Sequence, residues 1–201
     1  MAYSQSYLVT HASPSAGQDQ WITEQFPEGF KGYCIDVGAH DGHLLSNTLA
    51  LEEAGWIVMC VEANPAHAPF LRLRRKRFMC CAVDKESKEW EVFFVSGGDG
   101  SAYSSLRPRM GTKREIKVPV LTLDQVIQIA GFPELDVLTL DIEGTELDAL
   151  KGFDIDRWRP KVIIAECWPD TDAAQKIAEF LEPHGYNDVK TMEEDHGFVR
   201  A

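Results

Sequence analysis

Acidic residues end several apolar segments of this sequence, and their positions indicate a binding site. Asp36 lies near the end of the first segment, Glu62 ends the second, and Asp84 follows the third. If these segments are parallel strands, their carboxyl ends meet at the edge of the sheet where ligands bind in such folds. A carboxylate such as Glu62 can accept hydrogen bonds from both hydroxyls of a ribose, and Asp84 can accept one from an adenine amino group.

A glycine-containing loop, VGAHDG over 37–42, follows the first apolar segment. Gly38 has no side chain and allows the backbone to pass close to a ligand, and Gly42 helps the chain turn before the next helix. A dinucleotide-binding GxGxxG loop would need a glycine where His40 stands, which disfavours a pyrophosphate ligand. The loop and the three carboxylates together favour S-adenosylmethionine. A NAD-type Rossmann protein and an unrelated α/β domain are the alternatives.

The acidic pair Asp141 and Glu143 ends a fourth apolar segment and supplies candidates for catalysis. Side chains two residues apart on a strand point to the same face, and Gly144 lets the chain bend there. A hydroxyl acceptor is a poor nucleophile, so a base or a metal must take or weaken its proton. We interpret Asp141 as lying near the reacting methyl group and the cofactor amine, and Glu143 as facing the acceptor. Alternatively, the two acids stabilise the N-terminus of the following helix.

Two histidines beside the glycine loop are further candidates. Either His40 or His43 could act as a base at neutral pH, and we include His40 among the catalytic and the cofactor-binding residues. Their spacing of three residues, with Asp41 between them, would also permit a pair of metal ligands. Hydrogen bonding within the loop accounts for the same residues, and no metal site is predicted.

Apolar and amphipathic segments alternate after residue 30, which predicts an α/β fold with a doubly wound, mostly parallel sheet. A small insertion of strand and loop is expected around residues 89–120. We expect a single domain over 1–201, with an N-terminal arm over 1–30 and an α/β core over 31–201. Core strands are predicted over 32–37, 56–62, 78–83, 135–142 and 161–167, less regular strands over 186–199, and helices over 44–54, 66–76, 124–130, 145–151 and 172–181.

Composition limits the classes of protein that fit. The chain has 201 residues, 44% of them hydrophobic, and a net charge of −12, which is typical of a globular domain and argues against nucleic-acid binding through bulk charge. No apolar run reaches the roughly 20 residues of a membrane span, and the N-terminus lacks the pattern of a secretory signal. Five cysteines without a CxxC pair indicate reduced thiols. These features predict a cytoplasmic protein.

A local basic cluster, RLRRKR over 72–77, stands against this acidic background. Such a cluster can bind the phosphates of a nucleic acid. Its place on a helix between two strands favours a solvated face instead. Nucleic acid is therefore not the expected partner.

Several short segments occur in a recognisable order. They are YCIDVGAHDG (33–42), SNTLALEEAGW (46–56), VEANP (61–65), AVD (82–84), SSL (104–106), VPVLTLD (118–124), LTLDIEGTE (138–146) and ALKGF (149–153). The series resembles the FkbM family of S-adenosylmethionine-dependent methyltransferases over nearly the whole chain. Two departures from the family pattern stand out: YSQ (3–5) and GQD (17–19) look like one motif split by an insertion, and EANP (62–65) replaces the common EPNP.

The resemblance implies a Rossmann-like class I methyltransferase fold, S-adenosylmethionine as cofactor, and methyl transfer, usually to a hydroxyl oxygen. By this resemblance, Asp36, Gly38 and Ala39 contact the methionine part of the cofactor. Glu62 holds the ribose beside Ala63 and Asn64, and the adenine is bordered by Val83 and Asp84. The complete set of cofactor-binding candidates is Asp36, Gly38, Ala39, His40, Gly42, Asn47, Glu62, Ala63, Asn64, Val83, Asp84 and Asp141.

The expected acceptor is a sugar or another small molecule with hydroxyl groups. Residues 96–113, with Tyr103, Ser104, Ser105 and Arg107, could close over it as a lid or form a loop without function. An RNA methyltransferase that uses the basic cluster and a non-catalytic S-adenosylmethionine-binding module are the alternative functions. No pattern in the sequence indicates an oligomeric state.

Overall fold

Strands and helices alternate along the chain in the computed structural model, which describes residues 17–97, 103–108 and 111–201. The strands are β1 (Tyr33–Val37), β2 (Ile57–Val61), β3 (Phe78–Met79), β4 (Ala82–Val83), β5 (Lys88–Ser96), β6 (Thr112–Leu121), β7 (Val137–Leu140), β8 (Val162–Glu166), β9 (Tyr186–Met192) and β10 (Asp195–Arg200). The helices are α1 (Gln18–Glu24), α2 (Leu49–Glu53), α3 (Ala68–Arg74), α4 (Leu123–Ala130), α5 (Glu146–Lys151), α6 (Ile155–Trp158) and α7 (Ala173–Leu181). The YSQ motif over 3–5 lies outside the described residues.

The main sheet has seven strands in the order β3-β2-β1-β7-β8-β10-β9. The pairs from β3 to β8 are parallel, whereas β10 is antiparallel to both of its neighbours. Because β1 pairs with β2 on one side and with β7 on the other, the strand order reverses there and leaves a crevice at the carboxyl ends. The predicted α/β fold with a mostly parallel sheet is confirmed.

Apolar side chains cover both faces of this sheet, because successive strand residues point to opposite sides. On one face, Ile35 and Val37 of β1 belong to a buried cluster with residues of α4, α5 and α7. On the other face, Cys34 packs in a cluster with residues of α1, α2 and α3. Burial on both faces explains why the core strands are apolar at almost every position. Within the described ranges, no helix has the length and apolar character that crossing a membrane requires.

A smaller sheet, in the order β4-β6-β5, occupies the predicted insertion. The prediction of one strand over 78–83 is wrong, since Phe78–Met79 pairs with β2 while Ala82–Val83 pairs with β6. The sequence stays apolar across this break because Cys81, Ala82 and Val83 are buried in their new surroundings. Asp84 therefore follows a strand of the small sheet and does not end the third strand of the main sheet.

The helix predicted over 44–54 begins at Leu49, because side chains before it bind the backbone in turns. One Asp41 oxygen accepts hydrogen bonds from two backbone amides of the following turn, and Ser46 Oγ accepts one from the Leu49 amide. Such bonds compete with helix formation. The apolar spacing that indicated an earlier start includes Leu44, which is exposed.

The helix predicted over 124–130 begins at Leu123, and Thr122 caps it. Thr122 Oγ1 accepts a hydrogen bond from the Gln125 amide, and the Gln125 side chain accepts one from the Thr122 amide. This reciprocal pair satisfies two free donors at the helix N-terminus. Asp124 instead accepts hydrogen bonds from the Trp158 indole at 2.7 Å and from the Asp154 amide at 2.8 Å. It therefore ties α4 to α6.

Candidate functional site

A cavity lies at the carboxyl ends of β1, β2 and β7, in the crevice where the strand order reverses. Most of the predicted site residues line it, namely Asp36, Gly38, Ala39, His40, Asn47, Glu62, Ala63, Val83, Asp141 and Glu143. Gly42, Asn64 and Asp84 are not part of the lining. Side chains of the small sheet and of segment 103–108 close the cavity on one side. The fold thus brings together residues from six separate segments of the sequence.

Gly38 connects the first loop to the end of β7. Its backbone has a φ of +92°, and its amide donates a hydrogen bond to the Val61 carbonyl at 2.9 Å. A Cβ atom at this position would overlap the carbonyl oxygen of Asp141. Only a residue without a side chain fits there, so the close approach that requires glycine is an approach to the protein's own backbone.

Asp36 is buried within β1, and hydroxyl groups hold both of its carboxylate oxygens. Thr48 Oγ1 donates to Oδ2 at 2.5 Å, and Thr139 Oγ1 donates to Oδ1 at 2.8 Å. The guanidinium of Arg75 lies 3.7 Å from Oδ2. The negative charge of Asp36 is therefore compensated by the protein itself.

Arg75 supplies this compensation from behind the first loop. Its side chain is fully buried, and it donates hydrogen bonds to the Glu52 carboxylate at 3.1 Å and to Thr48 Oγ1 at 2.8 Å. Gly42 packs against it, since a Cβ there would come within 2.7 Å of Arg75 Cγ. The interpretation of the basic cluster as a solvated face is therefore wrong for Arg75, although the adjacent Lys76 is exposed.

Glu62 is buried at the end of β2 and faces the cavity. Its two oxygens accept hydrogen bonds from the backbone amides of His40 at 2.9 Å and Asn64 at 2.7 Å. Burial raises the pKa of Glu62 to about 7, although both hydrogen bonds favour the ionised form. Asn64 lies behind the cavity wall, where its side chain accepts a hydrogen bond from the Ala66 amide. The remaining lone pairs of Glu62 can accept hydrogen bonds from ligand hydroxyls.

His40 lines the cavity with a φ of +48° and packs against His67, with 4.0 Å between the ring centroids. Burial and the charge of His40 lower the pKa of His67 to about 4, so the His67 ring is neutral at pH 7. His67 was not among the predicted residues, because nothing in the NPAH segment distinguishes it from a surface residue at the start of a helix. His43 is exposed and is not part of the cavity lining.

Three carboxylates meet at the ends of β7 and β8. One oxygen each from Asp141, Glu143 and Glu166 lies within 4.8 Å of the other two. The strand predicted over 135–142 ends at Leu140, so strand alternation does not bring the first two together. Glu143 instead has a φ of +63° within a turn, and this turn returns its side chain to Asp141. We call these three residues the carboxylate cluster.

Crowding within the carboxylate cluster changes how its members ionise. Burial, followed by the charges of Glu166 and Glu143, raises the pKa of Asp141 well above its ordinary value. Burial and the charge of Glu143 raise the pKa of Glu166 to about 8. Glu166 was not among the predicted residues, although it ends an apolar segment as Glu62 does. The same signal could have identified it.

Part of the predicted lid lies against the turn that carries Glu143. Ser105 is buried, and its hydroxyl donates a hydrogen bond to the Glu143 carbonyl at 3.1 Å. Segment 103–108 is therefore attached to the cavity wall at this point. The remainder of the predicted lid over 98–102 and 109–110 lies outside the described residues.

A second cavity opens on the other side of the carboxylate cluster. Its lining includes Arg107, Lys176, the indole of Trp168 and the carboxylate of Glu166. The other two members of the cluster line the first cavity. The cluster therefore lies between a cavity at the glycine loop and a second cavity, in which Arg107 and Lys176 pair with the acids Asp148 and Asp172 beside Trp168.

Comparison with known proteins identifies the family. Residues 36–187 match the family described as Methyltransferase FkbM domain. Methyltransferase sdnD of Sordaria araneosa is 33% identical over 58 residues, which are 28% of this chain and 22% of that protein. The chain therefore covers less than a quarter of the length of this curated relative.

Solved structures resemble the fold at low sequence identity. A precorrin-6y C5,15-methyltransferase from Geobacter metallireducens gives a TM-score of 0.50 at 13% identity, over 99% of this chain and 94% of that one. A SAM-dependent methyltransferase from Aquifex aeolicus gives a TM-score of 0.40 at 12% identity, over 98% of both chains. Because the family match spans most of the chain, this protein belongs to the FkbM family of S-adenosylmethionine-dependent methyltransferases, and S-adenosylmethionine is its cofactor.

Proposed function

We propose that this chain transfers a methyl group from S-adenosylmethionine to a hydroxyl oxygen of a small polar acceptor such as a sugar. The observation that carries the proposal is the carboxylate cluster in the wall between the two cavities. Methyl transfer needs the acceptor oxygen, the methyl carbon and the sulfur in line, which two adjoining cavities allow. Carboxylates at the junction can act on the proton of a hydroxyl acceptor.

The first cavity fits the cofactor. When bound, S-adenosylmethionine supplies a methyl group on a positively charged sulfur, and the carboxylates of the lining favour that charge. The buried carboxylate of Glu62 accepts hydrogen bonds from the ribose hydroxyls, and Val83 borders the adenine. The other residues that we assign to the cavity lining around the cofactor are Asp36, Gly38, Ala39, His40, Asn47, Ala63 and Asp141. We assign supporting positions outside the lining to Gly42, Asn64 and Asp84.

The reacting groups meet at Asp141 and Glu143. Asp141, whose carbonyl is in contact with Gly38, lies on the side of the methyl group and the cofactor amine. Glu143 lies toward the acceptor, and its charge is among the causes that raise the pKa of Asp141. A carboxylate with a raised pKa is a stronger base, which suits it to take a proton from a hydroxyl. His40, which lines the same cavity, is the other candidate base.

The second cavity suits a small acceptor with many hydroxyl groups. The indole of Trp168 offers an apolar face and a polar edge, as a sugar ring requires. Arg107 and Lys176 pair with Asp148 and Asp172 in the same lining, and the remaining donors and acceptors of these four side chains can bind acceptor hydroxyls. We therefore place the acceptor in this cavity, with one hydroxyl directed toward Glu166.

A nucleic-acid acceptor is less well supported. Arg75 is buried and Arg74 forms an ion pair with Asp41, which reduces the cations that the basic cluster offers to phosphates. The net charge of −12 opposes the approach of a polyanion.

We also place the protein in the cytoplasm, because all five cysteines are described and each is a free thiol.

Titration calorimetry with S-adenosylmethionine and a transfer assay test the proposal. Glu62→Ala is expected to weaken binding by about tenfold or more, whereas the exposed Glu53→Ala serves as a matched control without effect. The transfer assay uses S-adenosylmethionine with a labelled methyl group and a panel of monosaccharides and nucleotide sugars. A product one methyl group heavier, with the label on oxygen, supports the proposal. Undiminished binding by Glu62→Ala contradicts the cofactor assignment, and a label found only in added RNA contradicts the acceptor class.

A further inference from the structure

The charge of the segment around α3 is opposite to that of the whole chain. The chain carries 32 acidic against 20 basic residues, yet the sequence has no acidic residue between Glu62 and Asp84. This interval includes the whole basic cluster over 72–77. Among the described residues that line the two cavities, none belongs to the cluster. The methyl-transfer site therefore does not account for this stretch of positive charge.

Two large apolar side chains lie among these cations. Phe70 is 46% exposed, and Leu73 is 85% exposed, more than any other large hydrophobic residue that the structure describes. Because residues three apart lie on the same side of a helix, both project from the outer side of α3. The basic residues Arg72, Lys76 and Arg77 are exposed as well. We call these five residues the basic surface.

A turn with two exposed leucines lies next to the basic surface. Leu44 is 45% exposed and Leu45 is 59% exposed. The guanidinium of Arg74 lies 5.4 Å from the centroid of the Phe70 ring and forms an ion pair with Asp41. Asp41 in turn accepts a hydrogen bond from the Leu44 amide at 2.8 Å. The protein therefore holds the apolar side chains of the turn beside those of α3.

Acidic side chains do not neutralise the basic surface. Within the described ranges, Arg72, Lys76 and Arg77 form no ion pair. The neighbouring acid on α2, Glu52, is buried and pairs with Arg75 at 3.1 Å. Three positive charges are thus left for a partner that is negatively charged.

The mixture of charged and apolar side chains indicates what kind of partner fits. Exposed leucines add little to the binding of a polyanion such as RNA, which depends mainly on cations. An anionic bilayer uses both kinds of side chain, because its phosphates attract lysine and arginine while its acyl region accepts leucine and phenylalanine. The acidic remainder of the chain is repelled by such a bilayer, which directs the basic surface toward it.

We propose that the basic surface, together with Leu44 and Leu45, binds a membrane surface rich in anionic lipids. The apolar side chains enter the boundary between headgroups and acyl chains, and the three cations lie at lipid phosphates. Binding of this kind is peripheral and reversible. Because both leucines also line the first cavity, that cavity then lies next to the bilayer.

Co-sedimentation of the full chain with lipid vesicles tests the proposal. Vesicles of phosphatidylcholine alone are compared with vesicles that contain about one third phosphatidylglycerol, at about 50 mM salt. Half of the chain is expected to sediment at about 1 mM lipid with the anionic vesicles, and binding to the neutral vesicles is expected to be at least about tenfold weaker. Salt at about 0.5 M should release the chain, because it screens the attraction.

The apolar contribution is tested with Leu73→Ser, which changes a side chain that is almost fully exposed. Binding to the anionic vesicles is expected to weaken by about fivefold or more, because the variant buries less apolar surface in the bilayer. Ile129→Ser is the matched control, since Ile129 is 63% exposed on α4 and lies outside the basic surface. Circular dichroism checks that both variants fold.

The charged contribution is tested with the double variant Arg72→Gln and Lys76→Gln. Loss of two cations at the membrane is expected to weaken binding by about tenfold or more. The double variant Lys31→Gln and Lys190→Gln changes the net charge equally at exposed positions elsewhere and should bind as the unaltered chain does.

Three results overturn the proposal. The first is no sedimentation with anionic vesicles at about 1 mM lipid, and the second is equal binding to both kinds of vesicle. The third is an equal loss in a variant and its control. Binding that depends on the cations but not on Leu73, and that an RNA oligonucleotide abolishes, would assign the surface to a nucleic acid instead.

Discussion

The carboxylates at the first loop and those at the ends of β7 and β8 are held in opposite ways. Asp36 receives hydrogen bonds from two threonine hydroxyls and lies 3.7 Å from a buried guanidinium. In the carboxylate cluster, one oxygen from each of three acids lies within 4.8 Å of the others, and burial and the charge of Glu143 raise the pKa of Glu166 to about 8. Groups of the protein compensate the charge of the first site, whereas like charges repel one another in the second.

An acid at a strand end can therefore either support the fold or attract a ligand. Asp36 supports the glycine loop, because its hydrogen bonds join β1 to Thr48 before α2 and to Thr139 on β7. In the cluster, where Asp141 is exposed, the charges of neighbouring acids repel one another and so oppose folding. A cationic ligand is favoured next to acids that repel one another.

The largest effect is expected at Gly38, the contact between the two regions. Gly38→Ala would place a Cβ atom on the Asp141 carbonyl oxygen, so either the first loop or the end of β7 must move. We expect a loss of about 3 kcal/mol or more in the free energy of unfolding and no measurable cofactor binding. Gly111→Ala is the matched control, because Gly111 has a φ of +93° but no atom near its Cβ position. Urea unfolding of both variants measures the difference, and equal losses would contradict the proposed contact.

The next largest effect is expected from Arg75. Arg75→Met keeps most of the side-chain volume but leaves the carboxylates of Glu52 and Asp36 buried without their cation. Breaking a buried ion pair in this way costs about 3–5 kcal/mol. Arg72→Met, three residues earlier in α3, changes an exposed side chain and should be nearly neutral. A loss in Arg75→Met no larger than in Arg72→Met, measured by urea unfolding, would show that Asp36 does not depend on this cation.

Much of the fold could be predicted because burial on both faces of a sheet leaves apolar runs in the sequence. The break in the strand predicted over 78–83 could not, since Ala82 and Val83 are equally buried in the small sheet. Strand pairing depends on partners far along the chain, and Val83 pairs with Leu121. Local composition does not indicate with which distant segment a strand pairs.

Some residues of the candidate site could likewise be predicted from the sequence, and others could not. The positions of Asp36 and Glu62 in the cavity lining could be predicted from acids at strand ends, and Glu166 carried the same signal without being selected. The burial of Arg75 could not be predicted, because it depends on Glu52, which reaches it only in the folded chain. A run of basic residues on a helix looks the same whether one of them turns inward or all face solvent.

Removing one acid from each region should change stability in opposite directions. Asp36→Asn loses an acceptor for one threonine hydroxyl and the partner of Arg75, so we expect a loss of about 2 kcal/mol. Glu166→Gln relieves the repulsion from Glu143 and should add about 1 kcal/mol to the free energy of unfolding. Urea unfolding at pH 8 compares the two variants with the unaltered chain. A loss of stability in both variants would mean that the protein stabilises the carboxylate of Glu166 as it does that of Asp36.

Glu62 is an intermediate case, because it accepts backbone hydrogen bonds but has no cationic side chain as partner in its described hydrogen bonds. Its pKa is raised to about 7 from 4.5, so folded protein holds a proton that unfolded protein releases between these values. The stability due to Glu62 is complete below pH 4.5 and is lost as the pH rises through about 7.

Affinity for the cofactor should increase as the pH rises, because ribose hydroxyls bind best to the ionised carboxylate of Glu62. Between pH 6 and pH 8 the ionised fraction rises from about a tenth to about nine tenths, so affinity for S-adenosylmethionine should rise by up to about tenfold. Calorimetry across this range measures the change, and Glu62→Gln should bind weakly with no such rise. An equal rise in Glu62→Gln would assign the titration to another group. The pH range in which the chain gains affinity for S-adenosylmethionine is thus the range in which ionisation of Glu62 lowers the stability of the fold. This is expected of a buried acid that binds the ligand in its ionised form.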